Sequence, residues 1–526
     1  MPAVRGEPFR EGTEADYARL RAMLVRNHYT EPELCDRVDI ASISQLKKAR
    51  EGRQLLRHFA DPQALLVRLF FDGDPIPWSV VRSVLPGDDL QPLETLGLIE
   101  SHAGDETACV GTVLLYPAEG LFTAADRSVD PDGPSPRQWD VVSTAVNANT
   151  SLLMSLFSRE RCDSFLDLCS GAGLAALVAA RDFAASATAI DVTPRATRFA
   201  RFNARLNAIE NVEAIQGDLY EAVRGRSFDR IVAHPPFLPA FTQQDVYRDG
   251  VEDGEGVTRR IIAGLPEFLR PGGRLYCACL ATDRQGAPLE MRLRALLGSH
   301  ADEFDVLVLE AGLYEPGAYL FERAREGSGA FGLLEPRLKA FQAMQVEAIV
   351  RTLVVVQRRP EPRPVFTARR QLSLQEPGRP IDGSAVEWLL RWEMLALDPA
   401  LRERLLDAAP RRNPRVQVRQ VCTPRGRDWE VQRTWVDVLS PFSTEASTPY
   451  WVPIFLAAAD GQLTGREHLE DMKRKGIAPE QTSEEEFATM LVRFTGVGMI
   501  DIAGFPLPSS PPETRDKRVR VPPADR

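Results

Sequence analysis

The stretch from Ser164 to Phe237 decides the fold: it begins SFLDLCSGAGLAALVAA, passes through ATAIDV and ends FDRIVAHPPF. A short apolar segment runs into the small-residue loop Cys169 to Gly173 and then into an alanine-rich run, which predicts strand, glycine turn and helix. Glycines are needed there because the backbone must turn sharply and approach a ligand closely, which a Cβ would block. Twenty residues after Gly171, Asp191 ends the next apolar segment, where a ribose-binding carboxylate belongs. The stretch therefore predicts a nucleotide-binding βαβ unit.

Bulk properties narrow the class of protein. A chain of 526 residues is too long for one ordinary core, so we expect two or three domains. No apolar run is long enough to span a bilayer and the first thirty residues are charged throughout, which predicts a cytoplasmic protein without a signal peptide or membrane contact. The seven cysteines are scattered and form no C-x-x-C pair, which argues against a disulfide framework and a structural zinc site. The net charge of −10 does not favour nucleic-acid binding, although a local basic face could supply it.

Two linkers divide the chain into three regions. They are the Pro-, Gly- and Asp-rich segment 128–139 and the Pro- and Arg-rich segment 357–380. Residues 1–128 and 384–508 each combine short helices with a β-hairpin, which predicts α+β, winged-helix-like domains, with plain cap domains as the alternative. The tail 509–526 lacks apolar periodicity and is predicted to be disordered.

In the central region, 140–358, strands alternate with helices. This alternation predicts an α/β domain with a Rossmann-like, doubly wound, mostly parallel sheet of seven strands. A helix is expected at 141–157, and a turn at Arg270 to Gly273 before the fifth strand. The last strand should run antiparallel, in a hairpin with two inserted helices. The predicted strands are 164–168, 187–192, 212–216, 229–233, 274–280, 304–309 and 349–356.

Two further acids flank the glycine loop. Asp167 lies two residues before the loop, where its carboxylate suits a ligand with a cationic part, such as an aminocarboxylate-bearing sulfonium, better than a pyrophosphate. Ala176 replaces the third glycine of a dinucleotide fingerprint, a replacement that is tolerated, so the loop alone does not exclude NAD. Asp218, just past the third strand, could accept a hydrogen bond from an adenine amino group, with Leu219 flanking the ring. The alternative for Asp218 is an N-cap of the following turn.

The most specific feature is His234-Pro235-Pro236-Phe237 at the carboxyl end of the fourth strand, where open α/β sheets bind ligands. Two prolines have no N–H and a fixed φ, so they end the strand and leave a rigid row of carbonyl acceptors. An adjacent aromatic ring can hold a planar group by stacking. Carbonyls that accept from an NH₂ group collect developing positive charge, which suits methyl transfer to a planar nitrogen. The alternative is a strand terminator beside a core phenylalanine.

These residues resemble the class I S-adenosylmethionine-dependent methyltransferases, and among them the small-domain and release-factor glutamine methyltransferase groups. The motifs that carry the resemblance are DLCSGAG at 167–173, Asp191, Asp218 and HPPF in place of the family's N/D-P-P-Y/F. The resemblance covers 141–358 and implies S-adenosyl-L-methionine as the cofactor. The cofactor-binding residues that it implies are Asp167, Cys169, Gly171, Gly173, Asp191, Val192, Asp218 and Leu219. The catalytic residues that it implies are His234, Pro235, Pro236 and Phe237.

One departure from the family bears on the methyl acceptor. His234 stands where the family has Asn or Asp; an Asn carbonyl only accepts from the target amine, whereas an imidazole can also take a proton. The first hypothesis is therefore an N-methyltransferase acting on a macromolecule, a protein side-chain amide or an RNA base amine. Because a general base serves a hydroxyl acceptor, a small-molecule O- or N-methyltransferase of secondary metabolism is the alternative. A purely structural His234 and a regulator that only binds the cofactor also stay open.

Other residues carry less information about function. Arginines in the second linker and the C-terminal hairpin could contact phosphates, but interleaved acids favour a solvated surface. The flanking domains could hold a protein as readily as RNA, and the sequence does not indicate an oligomeric state. Cys277 and Cys279 share one face of the fifth strand and are predicted to be core residues, and no metal site is predicted.

Overall fold

The computed structural model describes most of the chain: residues 8–40, 42–46, 61–102, 104–127, 140–145, 148–240, 249–251, 253–326, 332, 334–372, 382–438, 442, 444–502 and 505. The predicted linker 128–139 and the predicted tail 509–526 lie outside the described residues. No helix within the described ranges is both long and apolar enough to cross a membrane.

The N-terminal region combines helices with two β-hairpins. Its helices are α1 (Glu14–Arg26), α2 (Glu31–Val38), α3 (Ile43–Leu46), α4 (Pro62–Val67, continued by a π-turn over Arg68–Asp72), α5 (Trp78–Val84) and α6 (Gly87–Thr95). Its strands are β1 (Ile76–Pro77), β2 (Ile99–His102), β3 (Asp105–Gly111), β4 (Leu114–Ala118) and β5 (Leu121–Ala125). Strands β1, β3 and β2 form an antiparallel sheet in that order, so the elements from α4 to β3 follow the order of a winged-helix module.

The central region contains the predicted alternation of strands and helices. Its helices are α7 (Ala148–Leu156), α8 (Leu174–Asp182), α9 (Pro194–Leu206), α10 (Gly256–Phe268), α11 (Leu289–Ala295), α12 (Pro316–Glu326) and α13 (Leu334–Ala343), with 3-10 turns at Leu219–Val223 and Gly298–Glu303. Its strands are β6 (Cys162–Leu168), β7 (Ala184–Asp191), β8 (Val212–Gln216), β9 (Phe228–Ala233), β10 (Leu238–Ala240), β11 (Asp249–Val251), β12 (Leu269–Arg284), β13 (Phe304–Tyr314), β14 (Val346–Arg358) and β15 (Thr367–Gln371).

The large sheet has the order β15-β13-β14-β12-β9-β6-β7-β8 and is mostly parallel. Strand β14 runs antiparallel to both neighbours and α12 and α13 lie between β13 and β14 in the chain, which confirms the predicted hairpin with its inserted helices. From β6 the chain adds β7 and β8 on one side of the sheet and then β9 and β12 on the other, so the order of strands reverses between β6 and β9. Ligands bind at such a reversal in open α/β sheets, and these two strands lead into the glycine loop and into HPPF.

Three expectations about this sheet need correction. In the described ranges the sheet has eight strands and not seven, because β15 forms within the predicted linker; its sequence TARRQ has no apolar alternation, and it pairs at the edge with β13. The expected turn at Arg270 to Gly273 lies inside β12, as a shift of register between Leu269 and Arg274. Of the helix predicted at 141–157, the structure has Ala148–Leu156, whereas 141–145 is irregular.

The N-terminal region is joined to the sheet domain by two asparagines of α9. The side-chain amide of Asn203 accepts from the N–H of Ala124 (2.7 Å) and donates to the carbonyls of Ala124 (3.0 Å) and Ala172 (2.9 Å). One helical turn later, Asn207 accepts from the N–H of Phe122 (2.9 Å) and donates to its carbonyl (2.7 Å). The two amides therefore pair with β5 as a neighbouring strand would, which satisfies a buried strand edge.

The C-terminal region is α+β, as predicted. Its helices are α14 (Gly383–Leu395), α15 (Leu401–Leu406), α16 (Trp451–Ala458), α17 (Gly465–Arg474) and α18 (Glu484–Gly496). Its strands are β16 (Pro410–Arg412), β17 (Gln417–Arg425), β18 (Asp428–Val438), β19 (Thr444–Thr448) and β20 (Ile500–Ile502). Strands β17, β18 and β19 form one antiparallel sheet, and β16 pairs with β20. The predicted hairpin at Pro424 to Asp428 thus joins β17 to β18.

We expect Asn203→Leu to destabilise the fold by about 1–3 kcal/mol, because an isosteric apolar side chain leaves three buried backbone groups without partners. Denaturant titration followed by circular dichroism measures the change. The control is Gln342→Leu on the exposed face of α13, which should change stability by less than about 0.5 kcal/mol. Equal effects of the two substitutions would contradict the role given to Asn203.

Candidate active site

A cavity of about 1060 Å³ opens at the carboxyl ends of the central strands. Ten of the twelve residues predicted from the sequence line it: Asp167, Cys169, Gly171, Asp191, Val192, Asp218, Leu219, His234, Pro236 and Phe237. Gly173 and Pro235 are not among the lining residues. Gly173 packs on α9, since a Cβ there would lie 3.0 Å from the Cβ of Ala200, and Pro235 is buried. The structure therefore brings the glycine loop, the predicted acids and HPPF to one cavity.

The glycine loop has a left-handed backbone at several positions. Gly171 has φ +52° and open space around a notional Cβ, so its backbone conformation and not crowding favours glycine there. Cys169, which is not glycine, has φ 57°, and Leu219 on the neighbouring loop has φ 52°. Such non-glycine residues cost free energy and cluster at ligand sites. Both lie against this cavity.

Asp191 connects the end of β7 to the glycine loop. Its carboxylate accepts from the N–H of Gly171 (3.0 Å) and from the N–H and hydroxyl of Thr193 (3.0 and 3.1 Å). Burial raises the pKa of Asp191, while these hydrogen bonds oppose the rise. The carboxylate thus fixes the loop, and its Oδ2, which accepts only the Gly171 bond among these three, keeps acceptor capacity.

Asp167 is buried beneath the loop. Its carboxylate accepts from the N–H of Ala176 (3.2 Å), and burial raises its pKa to about 7, with the nearby charge of Asp191 adding to the rise. A cationic group bound beside it would favour the ionised form and lower that pKa. The residues present thus fit a ligand that brings its own positive charge.

Asp218 and Leu219 line the cavity beyond β8. The Asp218 carboxylate pairs with Arg260 of α10 at 2.9 Å, and both side chains are about half exposed. Asp218 precedes the 3-10 turn at Leu219–Val223 but makes no capping hydrogen bond with its side chain. Asp218 thus lines the cavity without capping the turn, which argues against the N-cap alternative.

His234 follows directly after β9. Its Nδ1 lies 3.2 Å from the hydroxyl of Thr150 on α7, and its Nε2 is shielded from solvent without a hydrogen-bond partner in the described part of the chain. Burial lowers the pKa of His234 to about 4, so the imidazole is neutral at pH 7. A base with so low a pKa is poorly matched to deprotonating a hydroxyl at that pH.

Phe237 stands between the motif and the helical insertion. Its ring lies nearly parallel to that of His234, at 16° with centroids 6.2 Å apart. It also packs against an apolar cluster formed by β12, β14, α12 and α13: Leu280, Leu320, Phe341 and Ile349. The predicted alternative of a core phenylalanine is therefore partly right, because the side chain both packs on this cluster and lines the cavity.

Several lining residues were not predicted from the sequence. Thr150 and Asn149 come from α7, and Arg351 comes from β14, where its Nε donates to the Asn149 side chain (2.9 Å). No local motif marks these residues, because the return of the antiparallel strand β14 beside β12 brings Arg351 to the cavity. Arg260 of α10 is the fourth lining residue that the sequence did not predict.

The irregular 141–145 segment also lines the cavity, and the N-terminal region holds it in place. Val142 exchanges hydrogen bonds with Asp126, through its N–H to the carboxylate (2.9 Å) and its carbonyl to the backbone N–H (3.0 Å). The N–H of Ala145 donates to the Tyr116 hydroxyl (2.8 Å), and Arg195 pairs with Asp126 at 2.5 Å. The N-terminal region therefore builds one side of the site.

Neither cysteines nor acids form a metal centre in the ranges that the structure describes: no group of three or more His, Cys, Asp or Glu side chains is suited to hold an ion. Cys277 and Cys279 are buried in the core on the β12 strand, as predicted.

Comparisons with known proteins agree with the motifs. Residues 141–301 match the family model of the methyltransferase small domain. A putative protein N5-glutamine methyltransferase of Methanocaldococcus jannaschii is 35% identical over 114 residues, which are 20% of this chain and 57% of that protein. The ribosomal protein uL3 glutamine methyltransferase of Bradyrhizobium diazoefficiens is 33% identical over 124 residues, 21% of this chain and 39% of that protein.

A release factor glutamine methyltransferase of Moorella thermoacetica is 32% identical over 180 residues, which are 30% of this chain and 60% of that protein. The chain thus spans about two fifths to three fifths of the length of these relatives. The match to the family model lies within the sheet domain.

We expect the His234 imidazole to titrate near pH 4 and to stay neutral between pH 5.5 and 8. Since an unfolded histidine titrates near 6.5, the unfolded chain takes up a proton first as pH falls, so His234 lowers the stability of the fold progressively between about pH 6.5 and 4. NMR of ¹³C-labelled histidine rings measures the titration, and the His234→Asn variant assigns the signal. A midpoint above pH 6 would contradict the burial argument.

Proposed function

We propose that this protein, whose residues 141–301 match the methyltransferase small domain, is a class I S-adenosylmethionine-dependent methyltransferase of the release-factor glutamine methyltransferase group and methylates the side-chain amide nitrogen of glutamine in a protein substrate. The observation that carries the proposal is the shared cavity. The glycine loop with Asp191 and the HPPF motif line one space, so a methyl donor at the first would meet an acceptor at the second.

The acids are assigned to the cofactor by their positions. Asp191 receives the ribose hydroxyls, Asp218 the adenine amino group, and Asp167 lies beside the cationic part of the ligand; Cys169, Gly171, Val192 and Leu219 complete the contact surface, with Gly173 supporting the loop from behind. S-adenosylmethionine, when bound, supplies an activated methyl group as a sulfonium. The work of the chain is therefore placement and electrostatics.

A nitrogen acceptor fits the site better than a hydroxyl. An amide nitrogen sheds its proton readily once it has been methylated, so it needs no strong base beforehand, whereas a hydroxyl must lose its proton to react. The His234 pKa of about 4 supplies no such base at neutral pH. Pro235 and Pro236 have no backbone N–H group, so at these two positions the backbone offers only carbonyl oxygens, which can accept hydrogen bonds from an NH₂ group. This counts against the O-methyltransferase alternative.

A protein substrate is supported by the names of the relatives. The three relatives described above are glutamine methyltransferases, one named for a ribosomal protein and one for a release factor. For this chain we propose both parts: that the substrate is a protein and not an RNA, and that the methylated group is a glutamine amide. The predicted cytoplasmic location stays a prediction.

We expect Asp191→Asn to weaken the binding of S-adenosylmethionine by at least about tenfold, because the amide loses the charge and one acceptor. Isothermal titration calorimetry measures the affinity. The matched control is Asp163→Asn, an exposed aspartate near the opposite end of β6, which should bind the cofactor like the unmodified protein. Unchanged affinity in the Asp191 variant would remove the cofactor assignment.

The acceptor is tested by methyl transfer itself. The full chain is incubated with methyl-tritiated S-adenosylmethionine and a lysate divided into protein, RNA and small-molecule fractions. We expect label in the protein fraction, released as methylamine when the protein is hydrolysed, and none with the Asp191→Asn variant. Label confined to RNA or to small molecules would overturn the proposed substrate class.

A further inference from the structure

Two exposed apolar side chains stand at the edge of the cavity, on the side of the HPPF motif. Leu313 is 55% exposed and Tyr314 is 36% exposed, although both line the cavity. Exposed apolar side chains that continue the lining of a cavity form part of its binding surface and are candidates for contact with a ligand. We call Leu313 and Tyr314 the rim.

The end of β13 places the rim by a local irregularity. The pairing of β13 with β14 shifts between Glu310 and Gly312, and such bulges re-aim the side chains that follow them. The Tyr314 ring lies across Gly312, whose missing Cβ leaves the space, because a Cβ there would meet the Tyr314 hydroxyl at 2.5 Å. The backbone conformation at the bulge thus fixes the direction of the rim side chains, and the rim is not a frayed strand end.

The rim is also supported from behind. The Tyr314 and Tyr319 rings lie 5.5 Å apart, and the guanidinium of Arg323 lies 5.7 Å from the centre of the Tyr319 ring. The first turn of α12 is capped by Glu315, which accepts from the N–H groups of Gly317 (2.8 Å) and Ala318 (2.6 Å). A partner that binds here meets side chains already held in place, so little ordering entropy is lost.

The rim is continuous with the methyl-accepting side of the site. Phe237 packs against the same apolar cluster that anchors α12 through Leu320. Leu280 belongs to that cluster and also lines the cavity, as does Arg351, its partner across β12 and β14. A substrate that places its reacting group near His234 therefore extends across this surface.

The charge of the cavity does not suit a nucleic acid. Among the residues that the structure describes, five carboxylates and three guanidiniums line the cavity, and no lysine does. Nucleic-acid affinity comes largely from a surplus of basic side chains against phosphates, which this lining lacks. An apolar rim beside a lining in which acids outnumber arginines instead suits a polypeptide with an apolar side chain.

From these contacts we infer that the rim binds an apolar side chain next to the methylated residue of an extended segment of a protein substrate. This inference rests on the proposed function and adds the local sequence that the site selects. Leu313 and Tyr314 determine specificity and take no part in the transfer step.

The test measures peptide binding without turnover. The full chain, loaded with S-adenosylhomocysteine, is titrated into two fluorescein-labelled 13-residue peptides of equal charge with a central glutamine, one flanked by leucines and one by serines. We expect the leucine peptide to bind about tenfold tighter by fluorescence anisotropy. The preference should vanish in the double variant Leu313→Ser, Tyr314→Ser.

The matched control is Met291→Ser on α11, because Met291 is 54% exposed and lies outside the cavity; it should keep the preference. Equal binding of the two peptides, or a preference that survives in the double variant, would overturn the inference. So would tighter binding of a labelled single-stranded RNA that the double variant weakens. Because no methyl group is transferred, these results are independent of the tritium experiment, so failure of one proposal is distinguishable from failure of the other.

Discussion

The buried amide of Asn203 is the contact on which the cofactor side of the molecule depends. It bonds to backbone groups of two different regions, Ala124 in the β5 hairpin and Ala172 in the glycine loop. Asn203 is fully buried, so water does not replace these bonds if the side chain is lost. The loop that turns at Gly171 is therefore held from one side by Asp191 and from the other by a side chain that also carries the N-terminal region.

Burial determines the electrostatics of the cavity. It raises the pKa values of Asp167 and Asp191 and lowers that of His234, so in each case the uncharged form is favoured. The two effects suit the two halves of the proposed reaction. A cationic ligand stabilises the ionised form of the two buried acids. A neutral imidazole places no charge beside a neutral amide acceptor. The hydrogen bond from Gly171 and the contact with Thr150 set the geometry in which these groups act.

Local patterns predicted the parts of the fold and site that lie close together in sequence. The glycine loop, Asp191 and His234 each follow a strand that reads clearly in the sequence, and parallel strands bring their ends to one edge. Contacts between distant segments were not predictable in this way. Arg351 reaches the cavity because β14 returns antiparallel beside β12. Strand β15 pairs with β13, and its Arg369 forms ion pairs with the Asp283 and Glu310 carboxylates, at 2.8 Å in each case. A polar edge strand of this kind has no alternation of apolar residues, so the sequence pattern does not predict it.

The helix α14 belongs to two hydrophobic cores. Trp388 packs in the core of the sheet domain with α7, while Trp392, four residues later, packs in the core of the C-terminal region. The two rings lie nearly parallel, at 8° with centroids 6.4 Å apart, and Phe505 contacts both. Since neither core is complete without this helix, local melting of one exposes apolar surface of the other. The sheet domain and the C-terminal region therefore belong to one cooperative unfolding unit, and a fragment that ends at the last strand of the sheet loses part of its own core.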